Sequence, residues 1–99
     1  MGVTIEFDPK AELEYSDAFV WYEEQSVDLG YRFKSSMLRK IDYVTKNPQH
    51  FPVKKNGYRE CKIDDFPYLI VYKEFPEKDL IYILSIFHTS RHPDKKYLK

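Results

Sequence analysis

Tyr68-Leu69-Ile70-Val71-Tyr72 and Leu80-Ile81-Tyr82-Ile83-Leu84-Ser85-Ile86-Phe87, separated by Pro76-Glu77-Lys78-Asp79, decide the fold. Both runs are short, almost wholly apolar and rich in β-branched and aromatic residues, the profile of interior strands. The Pro-Glu-Lys-Asp segment between them is a turn, so the pair reads as an antiparallel hairpin. Just upstream, Tyr58 to Ile63 alternates. Tyr58, Glu60 and Lys62 fall on one face; Arg59, Cys61 and Ile63 fall on the other. Residues 48–57 read as loop, with Pro48, Pro52 and the turn pair Asn56-Gly57.

Further toward the N-terminus the period lengthens. Leu29, Phe33, Met37, Ile41 and Val44 repeat every three or four residues and predict a helix that stops at Asn47-Pro48. Before it, Ala11, Tyr15, Ala18, Phe19 and Tyr22 form a second apolar stripe. This helix opens at Asp8-Pro9, a favoured N-cap followed by proline at the first helical position. Leu13, Val20 and Trp21 lie off that stripe and suggest a helix covered on more than one side. The break from Gln25 to Asp28 is short enough to make the helices antiparallel neighbours. Val3 to Phe7 alternates as a half-buried strand. The expected class is therefore α+β in the order β-α-α-β-β-β, with a helical hairpin on one face of a mainly antiparallel, twisted, four-stranded sheet.

The 99 residues suit a single domain spanning 1–99. Sixteen basic residues balance sixteen acidic ones, yet residues 1–28 hold eight acids against one base and residues 29–62 nine bases against two acids. Two helices laced together by complementary charge account for this, as does one basic face meeting nucleic acid or an acidic protein. Seventeen rings are many for so small a core. Trp21, Tyr31, Tyr43 and Tyr97 either remain outside as an interface or cover the open face of the sheet. The polar tail from His88 to Lys99 carries two anchors, Tyr97 and Leu98. One cysteine excludes an internal disulfide framework and fits a reducing compartment, so a cytoplasmic location is expected. No apolar run approaches a membrane span, and the first ten residues lack the profile of a secretory leader.

Chemistry-bearing motifs are few. No phosphate-binding glycine loop exists, and Cys61 reads as a small buried hydrophobe. His88 and His92 have a zinc-like spacing but follow a strand and precede Pro93, so neither a metal nor a cofactor is expected. Polar groups do gather at strand ends. Arg59 alternates into an apolar face, His88 closes the last strand, and Arg91 follows three residues later. Arginine grips phosphate or carboxylate with a bidentate fork, and histidine moves protons near neutral pH. A site uniting position 59 with the stretch after position 87 is one reading. The other pairs Arg59 with an acid such as Asp65 or Glu74 and leaves His88 as a strand-edge cap.

Several segments together resemble the RelE/ParE superfamily of bacterial toxins from type II toxin–antitoxin systems, and within it the ParE-like, plasmid-stabilisation branch. They are Ala11-Glu12-Leu13-Glu14, Trp21 to Gln25, Leu29-Gly30-Tyr31-Arg32-Phe33, Asn47-Pro48, Arg59, Phe66 to Tyr72, and Ile86 to Pro93. The resemblance implies a toxin held in a hetero-oligomer by a cognate antitoxin protein whose C-terminal segment wraps the helices and sheet. RelE-like members cleave mRNA on the ribosome. On that reading Arg59 is the charge stabiliser, His88 the acid/base group and Arg91 a further catalytic cation. Thr89 stands where those members carry a tyrosine, which leaves Tyr97 or Tyr58 to substitute. ParE-like members bind DNA gyrase and trap its complex with cleaved DNA without covalent chemistry, which makes Arg59, His88 and Arg91 contact or structural residues. The Arg91-His92-Pro93 ending and the start of the second helix are closer to this branch. Gyrase is thus the expected target, an mRNA interferase the alternative, and a domain that only binds its antitoxin the third reading.

Overall fold

The computed structural model describes residues 2–97. Strand β1 (Thr4–Phe7) leads into helices α1 (Pro9–Gln25) and α2 (Leu29–Lys46). Then come β2 (Val53–Lys55), β3 (Tyr58–Lys62), β4 (Tyr68–Phe75) and β5 (Leu80–His88). The strand order is β1-β5-β4-β3-β2, with β1 parallel to β5 and every other pair antiparallel. The chain is thus α+β with both helices on one face of the sheet, as the two periodicities require. No described helix is long and apolar enough to cross a membrane.

Among the described residues the sheet has five strands where the sequence predicts four. The extra one is β2, inside the segment read as loop. Asn56 and Gly57 both take positive φ, at 55° and 81°, which is the two-residue hairpin turn whose twist matches paired strands. Val53-Lys54-Lys55 is exposed throughout and carries no apolar alternation. Lysines on an exposed outer strand discourage pairing with other chains.

Asp8 caps α1 by accepting the Lys10 N–H at 2.9 Å, and its second carboxylate oxygen accepts the Tyr82 hydroxyl from β5. The cap thus ties the helix start to the sheet. Ala11, Ala18 and Tyr22 of α1, with Phe33, Met37, Ile41 and Val44 of α2, pack on Cys61, Ile63, Ile70, Tyr72, Ile81, Ile83 and Ile86. A smaller cluster on the opposite face joins Val71, Leu84 and Phe87 to Tyr58, Leu69, Tyr82 and Tyr97. The tail's Tyr97 therefore covers the open face; its companion anchor Leu98 lies outside the described residues.

Strand β5 changes phase midway. Val71 faces Ser85 but the next residue, Tyr72, faces Ile83, so Leu84 is an extra residue on β5, a bulge. Ahead of it Ile81 and Ile83 point to the helices; beyond it the even-numbered Ile86 does. The bulge thereby turns His88 toward the helix face.

The charge pattern does not lace the helices together: among the described residues no ion pair joins α1 to α2. Instead the Glu23 carboxylate accepts the N–H groups of Gly30 (2.8 Å) and Tyr31 (3.4 Å), capping α2 from α1. At Gly30 the helices nearly touch. A Cβ there falls 2.7 Å from the Phe19 carbonyl oxygen and 2.7 Å from Glu23 Cγ. Gly30→Ala should cost about 1–3 kcal/mol by overpacking a backbone contact. Urea unfolding should show a lower midpoint, whereas Gly2→Ala, in open space, should leave it unchanged.

Candidate functional site

The end of β5 and the outer flank of α1 enclose a shallow cavity of about 270 Å³, lined by Glu14, Asp17, Ala18, Trp21, Tyr68, Ile86, His88 and Arg91. Glu14 is its keystone. Its Oε1 accepts the Ser85 hydroxyl at 2.7 Å and the Ile86 N–H at 3.0 Å, while its Oε2 lies 3.2 Å from Arg91 Nη1. Strand β1 pairs with β5 only as far as Ile83, so the Ile86 N–H beyond it lacks a strand partner on that side, and this carboxylate supplies the acceptor. His88 stacks edge-on against Tyr68, with centroids 4.9 Å apart. Its Nδ1 accepts the Ser90 N–H at 3.0 Å and sits 2.7 Å from the Ser90 hydroxyl. A ring nitrogen that accepts an N–H carries no proton, which leaves Nε2 as the donor of the ring. Arg91 also lies over the Phe87 ring, its Cζ 5.9 Å from the centroid.

Arg59 is elsewhere. It shares the helix-facing side of β3 with Cys61, as its alternation implies, but stands opposite Tyr72, whereas His88 stands opposite Tyr68. Four ladder positions separate the two sites along β4, about 13 Å at strand rise, and β3 and β5 flank opposite edges of that strand. The shared pocket expected from the sequence is not formed. Arg59 Nη1 instead donates to the Phe51 carbonyl at 2.6 Å, not to Asp65 or Glu74. Beside it, the Tyr72 hydroxyl donates to the Pro48 carbonyl at 2.9 Å, so the two side chains pin the segment that follows α2. Burial pushes the Tyr72 phenol up to about 12, with Arg59 pulling the other way. Cys61, fully buried among apolar neighbours, is pushed up to about 11 by the same desolvation.

Tyr97 and Tyr58 lie on the opposite face of the sheet, their ring centroids 6.0 Å apart. The Tyr97 hydroxyl donates to Glu60 Oε2, which also holds Lys96 Nζ at 3.2 Å. Neither tyrosine reaches the cavity around His88. Of the residues singled out from the sequence, His88, Arg91 and Trp21 line one cavity, whereas Arg59, Tyr58 and Tyr97 lie away from it. Glu14, Asp17 and Tyr68 complete the cavity and were not foreseen as site residues. The lone Ser85 in an apolar strand was the available signal that something polar approaches there.

Residues 5–93 match the model of a family described as the ParE toxin of type II toxin–antitoxin system, parDE. The chain belongs to the ParE toxin family. No curated protein matches it significantly by sequence. Its fold is similar to the chromosomal ParDE system from P. aeruginosa, at a TM-score of 0.74 and 12% identity, covering 89% of this chain and 97% of that one. It is also similar to the intact E. coli RelBE toxin–antitoxin complex, at 0.68 and 19% identity over 91% and 100% of the two chains. The isolated E. coli RelE toxin aligns at 0.67 with 18% identity, over 94% and 90%.

For a ParE family chain the electrostatics of the cavity are notable, because its arginine is already matched. Glu14 neutralises Arg91, and Asp17 adds a second carboxylate to the lining. Glu14→Ala should strand the Ile86 N–H and the Ser85 hydroxyl and cost about 1–3 kcal/mol. Glu14→Gln keeps an oxygen acceptor for both and should cost about 1 kcal/mol or less; paired urea denaturation curves measure the difference. Alkaline pH tests the Arg59 end. The Tyr72 phenol rises from an ordinary value of 10.0 to about 12, so the unfolded chain loses this proton first. The stability it carries is complete below about pH 10 and is lost as pH climbs toward 12. Tyr72→Phe should flatten that part of the stability–pH profile.

Proposed function

We propose that this chain is a growth-inhibiting toxin that acts by binding a protein target, DNA gyrase, and that a cognate antitoxin protein neutralises it in the cytoplasm. The observation that carries the reading is the separation of Arg59 from His88, together with the pairing of Arg91 by Glu14. Cleaving RNA calls for a cation at the scissile phosphate and an acid/base group within hydrogen-bond reach of the same atoms. Here one arginine is spent on a backbone carbonyl and the other on a carboxylate. A formal net charge of zero adds little affinity for a polyanion. Family membership supports the toxin role, and the paired cations favour docking over chemistry. On this reading His88, Arg91 and Trp21 are contact residues, and Arg59 is a structural one.

Expression of the chain alone in a bacterium tests this. Growth should stop, DNA-damage signalling should rise and purified gyrase should lose supercoiling activity, while mRNA incubated with ribosomes and the chain stays intact. Co-expression of the cognate antitoxin should restore growth. Cleaved mRNA that becomes intact again with His88→Ala would establish the interferase alternative, and the absence of growth arrest would leave antitoxin binding as the role. Trp21→Ala should weaken gyrase inhibition by tenfold or more without lowering the unfolding midpoint, because the residue is 55% exposed.

A further inference from the structure

We propose that the outer face of the α1–α2 hairpin binds a second copy of this chain, about a two-fold axis parallel to the helices that sets each α1 against the α2 of the other copy. Helix α1 carries two stripes. The inner one, with Ala11, Ala18 and Tyr22, meets the sheet. The outer one runs Leu13, Asp17, Val20, Glu24, again at helical spacing, and leaves Leu13 63% and Val20 52% exposed. Helix α2 adds Tyr31 at 56% and Leu38 at 48%. A hairpin covering one side of a sheet requires a single apolar stripe per helix, so the second is unaccounted for by the fold.

Charge identifies the occupant. The exposed ionisable residues of α1 are Glu12, Asp17 and Glu24, all acidic. Those of α2 are Arg32, Lys34, Arg39 and Lys46, with one acid, Asp42, which Lys46 holds at 3.1 Å. Because no described ion pair joins the two helices, these rows are not consumed by each other. A two-fold axis perpendicular to the helices would stack α1 on α1 and α2 on α2, like charge on like. An axis parallel to them stacks α1 on α2, opposite charge on opposite, and makes the patch complementary to itself.

The heights agree. The Phe19–Tyr31 ring contact, at 4.9 Å between centroids, sets the level of the two helices. Counting antiparallel from it, Leu13 and Leu38 fall within one residue of the same height. So do Glu12 with Arg39, Asp17 with Lys34, and Val20 with Tyr31. A two-fold along the helices preserves height, so opposite charges of the two copies share a level. The result is an antiparallel four-helix layer with an apolar centre and charged flanks. The face measures roughly 25 Å by 20 Å, the size class of a modest dimer interface.

Two charge-inverted variants test the arrangement. One carries Glu12→Lys, Asp17→Lys and Glu24→Lys; the other carries Arg32→Glu, Lys34→Glu and Arg39→Glu. Light scattering after gel filtration should give the wild-type chain twice its 12.0 kDa monomer mass. Its dissociation constant should rise at least tenfold between low and high salt. Each variant alone should be monomeric, and an equimolar mixture should form a heterodimer, since both of its α1–α2 contacts are then opposite in sign. Leu38→Glu, a single change at an exposed position, should weaken the wild-type dimer tenfold or more with unchanged far-ultraviolet circular dichroism, which covers the case in which a triple variant misfolds. A monomeric wild-type chain overturns the proposal and leaves the face to a different protein. Dimerisation of either variant alone, or a mixture that stays monomeric, also overturns it.

Discussion

A carboxylate inside a bulge organises one end of this molecule. Inserting Leu84 into β5 shifts the side-chain phase, so that Ile86 continues the helix-facing core begun by Ile81 and Ile83. Beyond Ile83 no β1 residue pairs with β5, and the Ile86 N–H lies beside a helix, where solvent has little access and an unpaired N–H is costly. Glu14 reaches across from α1 to accept that N–H and the neighbouring Ser85 hydroxyl, with 13% of its side chain exposed. Its second oxygen then draws in Arg91 and fixes the stretch after β5. Helix, bulge and tail are thereby tied to one side chain, and the cavity containing His88 follows from them.

The opposite end of the sheet is built on a different arginine with a different task. Arg59 and Tyr72 each donate to a backbone carbonyl of the segment after α2, at Phe51 and Pro48. That segment has to cross from the helix layer to the edge strand β2, and its carbonyls need donors. An arginine that enters an apolar face for this purpose cannot also grip a phosphate about 13 Å away along the strand. On a RelE/ParE-like scaffold, then, the number of cations near the sheet says less about chemistry than what each one is already holding.

How far the sequence revealed this depends on which signals a residue pattern contains. The helices were legible because their stripes and the Asp8-Pro9 cap are local, and the hairpin of β4 and β5 because a long β-branched run has few alternatives. The faces of β3 were legible because Tyr58 to Ile63 alternates strictly. The phase of β5 was not. Leu80 to Phe87 is apolar at nearly every position, so nothing in it reports an extra residue, and a one-residue shift reverses the face on which His88 lies. Strand β2 was missed for the converse reason: Val53-Lys54-Lys55 buries nothing, and only Asn56-Gly57 signals the hairpin. Glu14 is one of eight acids in residues 1–28, and a sequence does not show which of several carboxylates will find a buried donor.

The same reasoning separates charges that serve the fold from those that remain for a partner. Glu14, Glu23 and Glu60 each accept at least two hydrogen bonds and hold a helix start, a bulge or the tail. Glu12, Asp17 and Glu24 face outward beside exposed apolar side chains, as do Arg32, Lys34 and Arg39 on the next helix. Net neutrality is the sum of these two populations and describes neither. A row of one sign on each helix is a weak contributor to stability in an isolated molecule, where water and salt screen it. Its physical consequence appears on association, when an opposing row fixes orientation and register and like rows exclude the alternatives.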